Sequence, residues 1–176
     1  MTCNLRIVSY NCQSFNCNIE FIRQLLETCD ILCLQETLLN DTNDFQLDNL
    51  SDDFVSSHVS SVRNSNTFAG RASGGLAILW RKMLYIQFFP VKINNRILGL
   101  KLECQNVSYF LMNVYLPCDY HNVDSLIEYK STLSDTSNVC SSETYDEIII
   151  VGDFNKVHRQ SKRGSVLSSK QSSSKV

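Results

Sequence analysis

Apolar and polar positions fall in blocks whose length and spacing identify the elements. Leu5 to Tyr10 is a short apolar run rich in β-formers that stops at Asn11. Ile19, Ile22, Leu25, Leu26 and Cys29 recur at helical intervals and predict an amphipathic helix of about three turns. Ile31-Leu32-Cys33-Leu34 is continuously apolar, as in a strand covered on both faces. Asp41, Asp44, Asp48, Asp52 and Asp53 crowd the next segment and predict a solvated loop, without the central Gly and closing Glu of a calcium loop. Ser73-Gly74-Gly75 turns into Leu76-Ala77-Ile78-Leu79-Trp80, another strand, and β-like runs follow at Leu84–Val91, Arg96–Glu103 and Val107–Leu116. Asn122 is placed to cap a helix reaching about Leu133, with Val123, Leu126, Ile127 and Leu133 as its apolar side. Glu147 to Val151, running into Gly152, predicts a last buried strand. The alternation gives an α/β or mixed α+β fold with a large sheet.

Composition narrows the class. The 176 residues make roughly one domain. With 43% hydrophobic and 19% charged residues the chain is not wholly disordered. Its longest apolar stretches, such as Ile148-Ile149-Ile150-Val151, are far short of the roughly 18 residues of a membrane span. The opening residues lack the layout of a secretory signal, so the expected setting is intracellular, nuclear or cytoplasmic, and not secreted. Eight cysteines with no Cys-x-x-Cys, and only three histidines, read as reduced, mostly buried thiols and not as a disulfide or zinc scaffold.

Charge divides the chain in two. From Arg159 to Val176 there are five basic residues, seven serines and no acid, which predicts a basic disordered tail over 159–176. Residues 1–158 form the folded domain and keep 11 basic against 18 acidic groups, a net of −7. So acidic a body is not the usual footprint of a tight nucleic-acid binder.

The candidate chemistry lies at the ends of four apolar runs. The first delivers Asn11, the second Gln35-Glu36, the run through Val114 delivers Tyr115 and then Pro117, and the last delivers Gly152-Asp153-Phe154-Asn155. Each alone has a bland reading: a turn Asn, a solvated Glu, an Asx turn, a glycine pair needed for positive φ. If the strands share an orientation, however, their ends gather two carboxylates, two amides and a phenol at one mouth. Glu36 is a hard oxygen ligand suited to magnesium, and Asp153 would bind the ion indirectly or orient a water. Asn11 and Asn155 supply amide donors that do not repel a phosphate, and Tyr115 can donate to a phosphoryl oxygen. That set suits metal-assisted hydrolysis of a phosphate ester.

In order and wording these segments resemble the endonuclease/exonuclease/phosphatase superfamily. The resemblance rests on Ile7-Val8-Ser9-Tyr10-Asn11, Asp30-Ile31-Leu32-Cys33-Leu34-Gln35-Glu36-Thr37, Gly70-Arg71-Ala72-Ser73-Gly74-Gly75-Leu76-Ala77-Ile78, Asn113-Val114-Tyr115-Leu116-Pro117 and Gly152-Asp153-Phe154-Asn155. Its Gly-Arg-x-Ser-Gly-Gly-Leu-Ala wording is most similar to endonuclease domains of non-LTR retrotransposons. The resemblance implies Glu36 as principal metal ligand for magnesium, or manganese in its place, with Asn11 beside it. It implies Asp153 and Asn155 at the scissile phosphate, Tyr115 as a phosphate contact, and DNA as substrate, with phosphoinositides left open. Gln13 and Cys118 stand where such nucleases often carry an acid and an Asn.

The resemblance also implies a four-layer αββα sandwich with a further Asp and a closing Ser-Asp-His. Neither is found in the 21 residues after Asn155, where His158 comes too early and His121 is a poor substitute. The expectation is an incomplete sandwich lacking its C-terminal portion, weakly active or inactive. The inner face of its first sheet would be bare, inviting self-association or a protein partner, so that a non-catalytic interaction module is the alternative function.

Overall fold

The apolar runs become the strands of two sheets. The computed structural model describes residues 4–63, 72–84, 86–117, 123–142 and 145–155. In chain order the elements begin with β1 (Ile7–Asn11), α1 (Ile19–Thr28), β2 (Ile31–Gln35), α2 (Phe45–Asp48), β3 (Phe54–Val59), β4 (Val62–Arg63) and β5 (Ala72–Ser73). They continue with β6 (Leu76–Arg81), β7 (Gln87–Asn94), β8 (Ile97–Cys104), β9 (Val107–Tyr115), α3 (Val123–Ser142) and β10 (Glu147–Asp153). One sheet has the order β1-β2-β6-β3, the other β10-β9-β8-β7, and β4-β5 is a small ribbon. β1 and β2 are parallel, as are β9 and β10, and the remaining pairs are antiparallel.

Strand alternation decides what each face meets. Ile31, Cys33, Leu76, Ile78 and Trp80 point from the first sheet onto Leu98, Leu100, Leu102 and Leu111 of the second. The opposite face, Leu32, Leu34, Ala77 and Leu79, receives Ile22, Leu26 and Cys29 at α1. Ile97, Phe110, Met112 and Val114 form the outer face of the second sheet, packed against Tyr129, Val139 and Cys140 of α3. Helix, sheet, sheet and helix are therefore stacked in four layers, the αββα sandwich that the resemblance implies. Each fully buried Leu or Ile in it contributes roughly 1.5–3 kcal/mol.

Three expectations are corrected. The inner face of the first sheet is not bare, because residues 87–153 alone supply a four-stranded second sheet to cover it. The aspartate-rich segment is not simply a solvated loop: Leu47 and Leu50 are buried and anchor α2, and Asp44 lies 2.8 Å from His58. On α3 the face is reversed, with Val123, Leu126, Ile127 and Leu133 exposed and Ser125, Thr132 and Thr136 buried. The two threonines turn their hydroxyls back to the carbonyls of Glu128 and Thr132, at 2.9 and 2.8 Å, which leaves their methyl groups free to face the sheet. Asn122, Cys118, His121, His158, Gly70-Arg71 and the tail from Arg159 lie outside the described residues.

Six described cysteines (Cys12, Cys17, Cys29, Cys33, Cys104 and Cys140) are free thiols. Burial pushes Cys12 and Cys29 up to about 11 and raises Cys33 as well, so these three stay neutral and unreactive at neutral pH.

Asp30, between α1 and β2, ties the chain start to β6. Its carboxylate accepts from the Arg6 backbone N–H at 2.9 Å and Nε at 3.3 Å, and Arg81 Nε lies 3.9 Å away. Burial alone would raise its pKa, but the Arg6 hydrogen bonds and the two guanidinium charges outweigh it and hold it below the ordinary value. A depressed carboxylate stabilises the fold above its unfolded pKa of about 3.9, and that contribution is lost as pH falls through the folded value. Asp30→Asn should therefore cost about 1 kcal/mol at pH 7, discounted for the exposure of Arg6. The deficit should shrink as pH falls below about 3.9 and through the folded value, as read from urea midpoints along an acid pH series.

Candidate active site

Four strand ends converge, two from each sheet. Asn11 pairs with Gln35 at the end of β1 and β2, and Asp153 pairs with Tyr115 at the end of β10 and β9. Across the gap between the sheets, Asn11 Nδ2 donates to Glu36 Oε1 and to Asp153 Oδ2, both at 2.7 Å. Side chains 142 positions apart in the chain thus meet at a single amide group.

Local backbone chemistry holds each partner. Glu36 and Leu38 have φ of 54° and 56°, conformations that non-glycine residues adopt only when held there. The hold comes from the Ser-Gly-Gly turn: Thr37 and Leu38 N–H groups donate to the Gly75 and Gly74 carbonyls, both at 3.1 Å. A Cβ at Gly75 would run into Thr37 Oγ1, so this glycine is required by the close approach. On the other side, the Asn155 N–H donates to Asp153 Oδ1 at 3.0 Å and its Nδ2 to the Leu116 carbonyl at 2.7 Å. The exposed Gln13 contributes through its backbone, its N–H donating to Asn11 Oδ1 at 3.1 Å.

Behind the mouth a buried amide pair joins the sheets. Gln35 and Asn113 are 1% and 0% exposed, and Gln35 Nε2 donates to Asn113 Oδ1 at 2.7 Å. Asn113 Nδ2 in turn donates to the Leu34 and Ala77 carbonyls at 2.9 and 3.0 Å. The pair fixes the end of β2, and so Glu36, against β9. Neither residue is singled out as a site residue by the sequence, although both lie inside the segments that carry the resemblance.

Tyr115 is buried beside Leu116, with the Arg96 guanidinium 4.9 Å from its ring centroid. Asn11, Glu36, Asp153 and Asn155 are brought into one hydrogen-bonded group, and Tyr115 stands at its rim on the residue paired with Asp153. Arg96 is a further side chain here that sequence reasoning missed, because a cation in a turn has no periodic signature.

Two carboxylates facing one uncharged amide make a hard, negatively charged donor set. That set fits a divalent cation such as magnesium, which commonly takes one or two carboxylates and keeps several waters. Among the described residues no group of three or more His, Cys, Asp or Glu could hold a metal. Glu36 and Asp153 would therefore have to share the ion with water and substrate.

Known proteins give the same architecture. A family model described as the Endonuclease/Exonuclease/phosphatase family matches residues 8–170. No curated protein matches the chain. Among solved structures, the chain is similar to the 3′ phosphatase NExo from Neisseria bound to product DNA hairpin, at 17% identity and TM-score 0.64, covering 86% of this chain and 58% of that one. The AP endonuclease LMAP from Leishmania major is similar at 16% identity and TM-score 0.63, with 85% and 54% covered. The Xenopus laevis APE2 catalytic domain is similar at 18% identity and TM-score 0.62, with 88% and 60% covered. The chain thus spans a little over half the length of these neighbours.

Proposed function

Because the chain belongs to the Endonuclease/Exonuclease/phosphatase family, we propose that it is a divalent-metal-dependent phosphodiesterase acting on DNA as an endonuclease. The observation that carries this reading is the Asn11 amide, 2.7 Å from both Glu36 and Asp153. When bound, magnesium, or manganese in its place, supplies Lewis-acid polarisation of a phosphoryl oxygen. Glu36 would hold the ion with Asn11 beside it. Asp153, one oxygen fixed by the Asn155 N–H and the other by Asn11, is oriented to align a water against phosphorus. Tyr115 donates to a phosphoryl oxygen, and Asn155 positions Asp153. The Gly70–Ala77 wording supports a retrotransposon-type endonuclease, and the free thiols suit an intracellular setting, nuclear or cytoplasmic.

The test is nicking of supercoiled plasmid by the purified chain, with magnesium, with manganese and with a chelator. Nicking that needs the ion supports the reading. Complete inactivity with either ion, in a protein that melts cooperatively, counts against it.

A second reading is an interaction module that binds a protein partner or a second copy, and one observation favours it. Among the described residues β10 is an edge strand whose Ile148–Val151 stretch has neither proline nor charge, and Ile150 is 40% exposed. The opposite edge strand, β7, is guarded by Pro90 and Lys92. An unguarded aliphatic edge is a template for strand addition. Sedimentation of an inactive but dimeric chain would favour this reading.

A further inference from the structure

A phosphodiester must approach this mouth although residues 1–158 carry a net charge of −7. Arg96 brings a cation to the rim, and its geometry is unusual for a structural ion pair. The backbone on either side is fixed: the Arg96 N–H donates to Asn94 Oδ1 at 2.8 Å, and its carbonyl accepts from the Tyr115 N–H at 2.9 Å. The guanidinium lies over the Tyr115 ring and is only 15% exposed. Its Nε and Nη2 both donate to the same oxygen of Glu128, at 3.1 and 2.7 Å. Two donors converging on one oxygen is not the parallel two-oxygen fork that makes arginine pairs with carboxylates and phosphates strong. Glu128, on α3, is 48% exposed, so water reaches its half of the pair and competes for it, although Arg96 is mostly covered.

We propose that Glu128 is a resident anion on a phosphate-binding arginine, and that the DNA backbone displaces it to reach Arg96 over the face of Tyr115. The proposal rests on the reading of the site as a DNA phosphodiesterase. Arg96 is then a substrate contact, and Glu128 is a built-in competitor that lowers affinity for polyanions. Removing the competitor strengthens binding only while Arg96 is present. Counterion release follows the same logic, because an arginine freed of its carboxylate adds a full cation to the DNA contact.

The experiment measures anisotropy of a fluorescein-labelled DNA duplex with the full chain, calcium replacing magnesium to suppress cleavage, between about 50 and 200 mM salt. Glu128→Gln should tighten binding about two- to five-fold and steepen the log–log salt slope by up to about 0.9. Arg96→Gln should weaken binding, and Glu128→Gln added to it should change nothing further. Arg96→Lys, which keeps the charge without the fork, should fall between wild type and Arg96→Gln. Where the duplex binds, two outcomes overturn the proposal: Glu128→Gln binding like wild type, or Glu128→Gln tightening binding equally when Arg96 is Gln, which would show a general charge effect. Duplex binding with the predicted coupling but no cleavage in magnesium keeps the proposal and sinks the nuclease reading. No duplex binding at any salt sinks both.

Discussion

Glu36→Gln should lower magnesium-stimulated DNA nicking by at least about 10²-fold while leaving the melting temperature close to wild type. The substitution keeps shape and a hydrogen-bond acceptor for Asn11 Nδ2, so the Asn11 bridge at 2.7 Å persists and the fold loses little. What disappears is one of the two negative charges facing that amide, and with it a hard ligand. Loss of a pre-organised group acting on a developing phosphoryl charge typically costs about 10²–10³-fold in rate. Raising the magnesium concentration should recover part of the loss, since an ion-binding defect is overcome by mass action. Equal nicking by both proteins, at every magnesium concentration, would mean that Glu36 is not an ion ligand or that the nicking comes from a contaminant.

Gly152→Ala should be the most damaging glycine-to-alanine substitution among the described residues. Gly152 pairs with Val114 in the β9–β10 ladder at a φ of 141°, and a Cβ there would overlap the Val114 carbonyl. Backbone cannot yield to a methyl group without breaking ladder bonds, and strained φ alone costs about 1–3 kcal/mol. A loss of at least about 3 kcal/mol is expected, or a fall in melting temperature of roughly 6–12 °C for a domain of this size. Calorimetry decides it, and a change within about 2 °C would show that β10 shifts freely. Because Asp153 is the next residue, the variant should also lose whatever activity the wild type has.

Much of the fold could be read from the chain where both faces of a strand are apolar. β2 and β6 are buried along nearly their whole length, and their runs Ile31–Leu34 and Leu76–Trp80 announce it. β3 escaped notice because Phe54-Val55-Ser56-Ser57-His58-Val59 has polar residues on both faces, and its strand character comes from pairing with β6. α3 misled for a related reason. Val123, Leu126, Ile127 and Leu133 point outward, and the face on the sheet combines Tyr129, Val139 and Cys140 with buried Ser125, Thr132 and Thr136, the two threonines bonding back to their own helix. Apolar periodicity marks a buried face only when burial uses apolar residues throughout, and here small hydroxyl residues share that face.

The candidate site was legible as a set of strand ends, but not as a geometry. Asn11, Glu36 and Asp153 could be named from the chemistry a phosphate ester needs, and the structure joins them. That they come from two sheets facing each other, and not from neighbouring strands of one open sheet, is a matter of topology that strand ends alone cannot reveal. Asn113 and Gln35 look in sequence like ordinary strand residues, and Arg96 like a surface cation. Their contacts across the fold emerge only once the sheets are stacked.

The chain order of the two sheets has a consequence for how this protein comes into being. All strands of the first sheet fall within residues 7–81, and all strands of the second within 87–153. Each half of the sandwich can therefore acquire its hydrogen bonding from its own stretch of chain during synthesis. The contacts among Asn11, Glu36 and Asp153 then wait on the mutual docking of two consecutive halves, so competence for chemistry would arrive last. Anything that loosens that docking would part Asn11 and Glu36 from Asp153 while each sheet keeps its own hydrogen bonds.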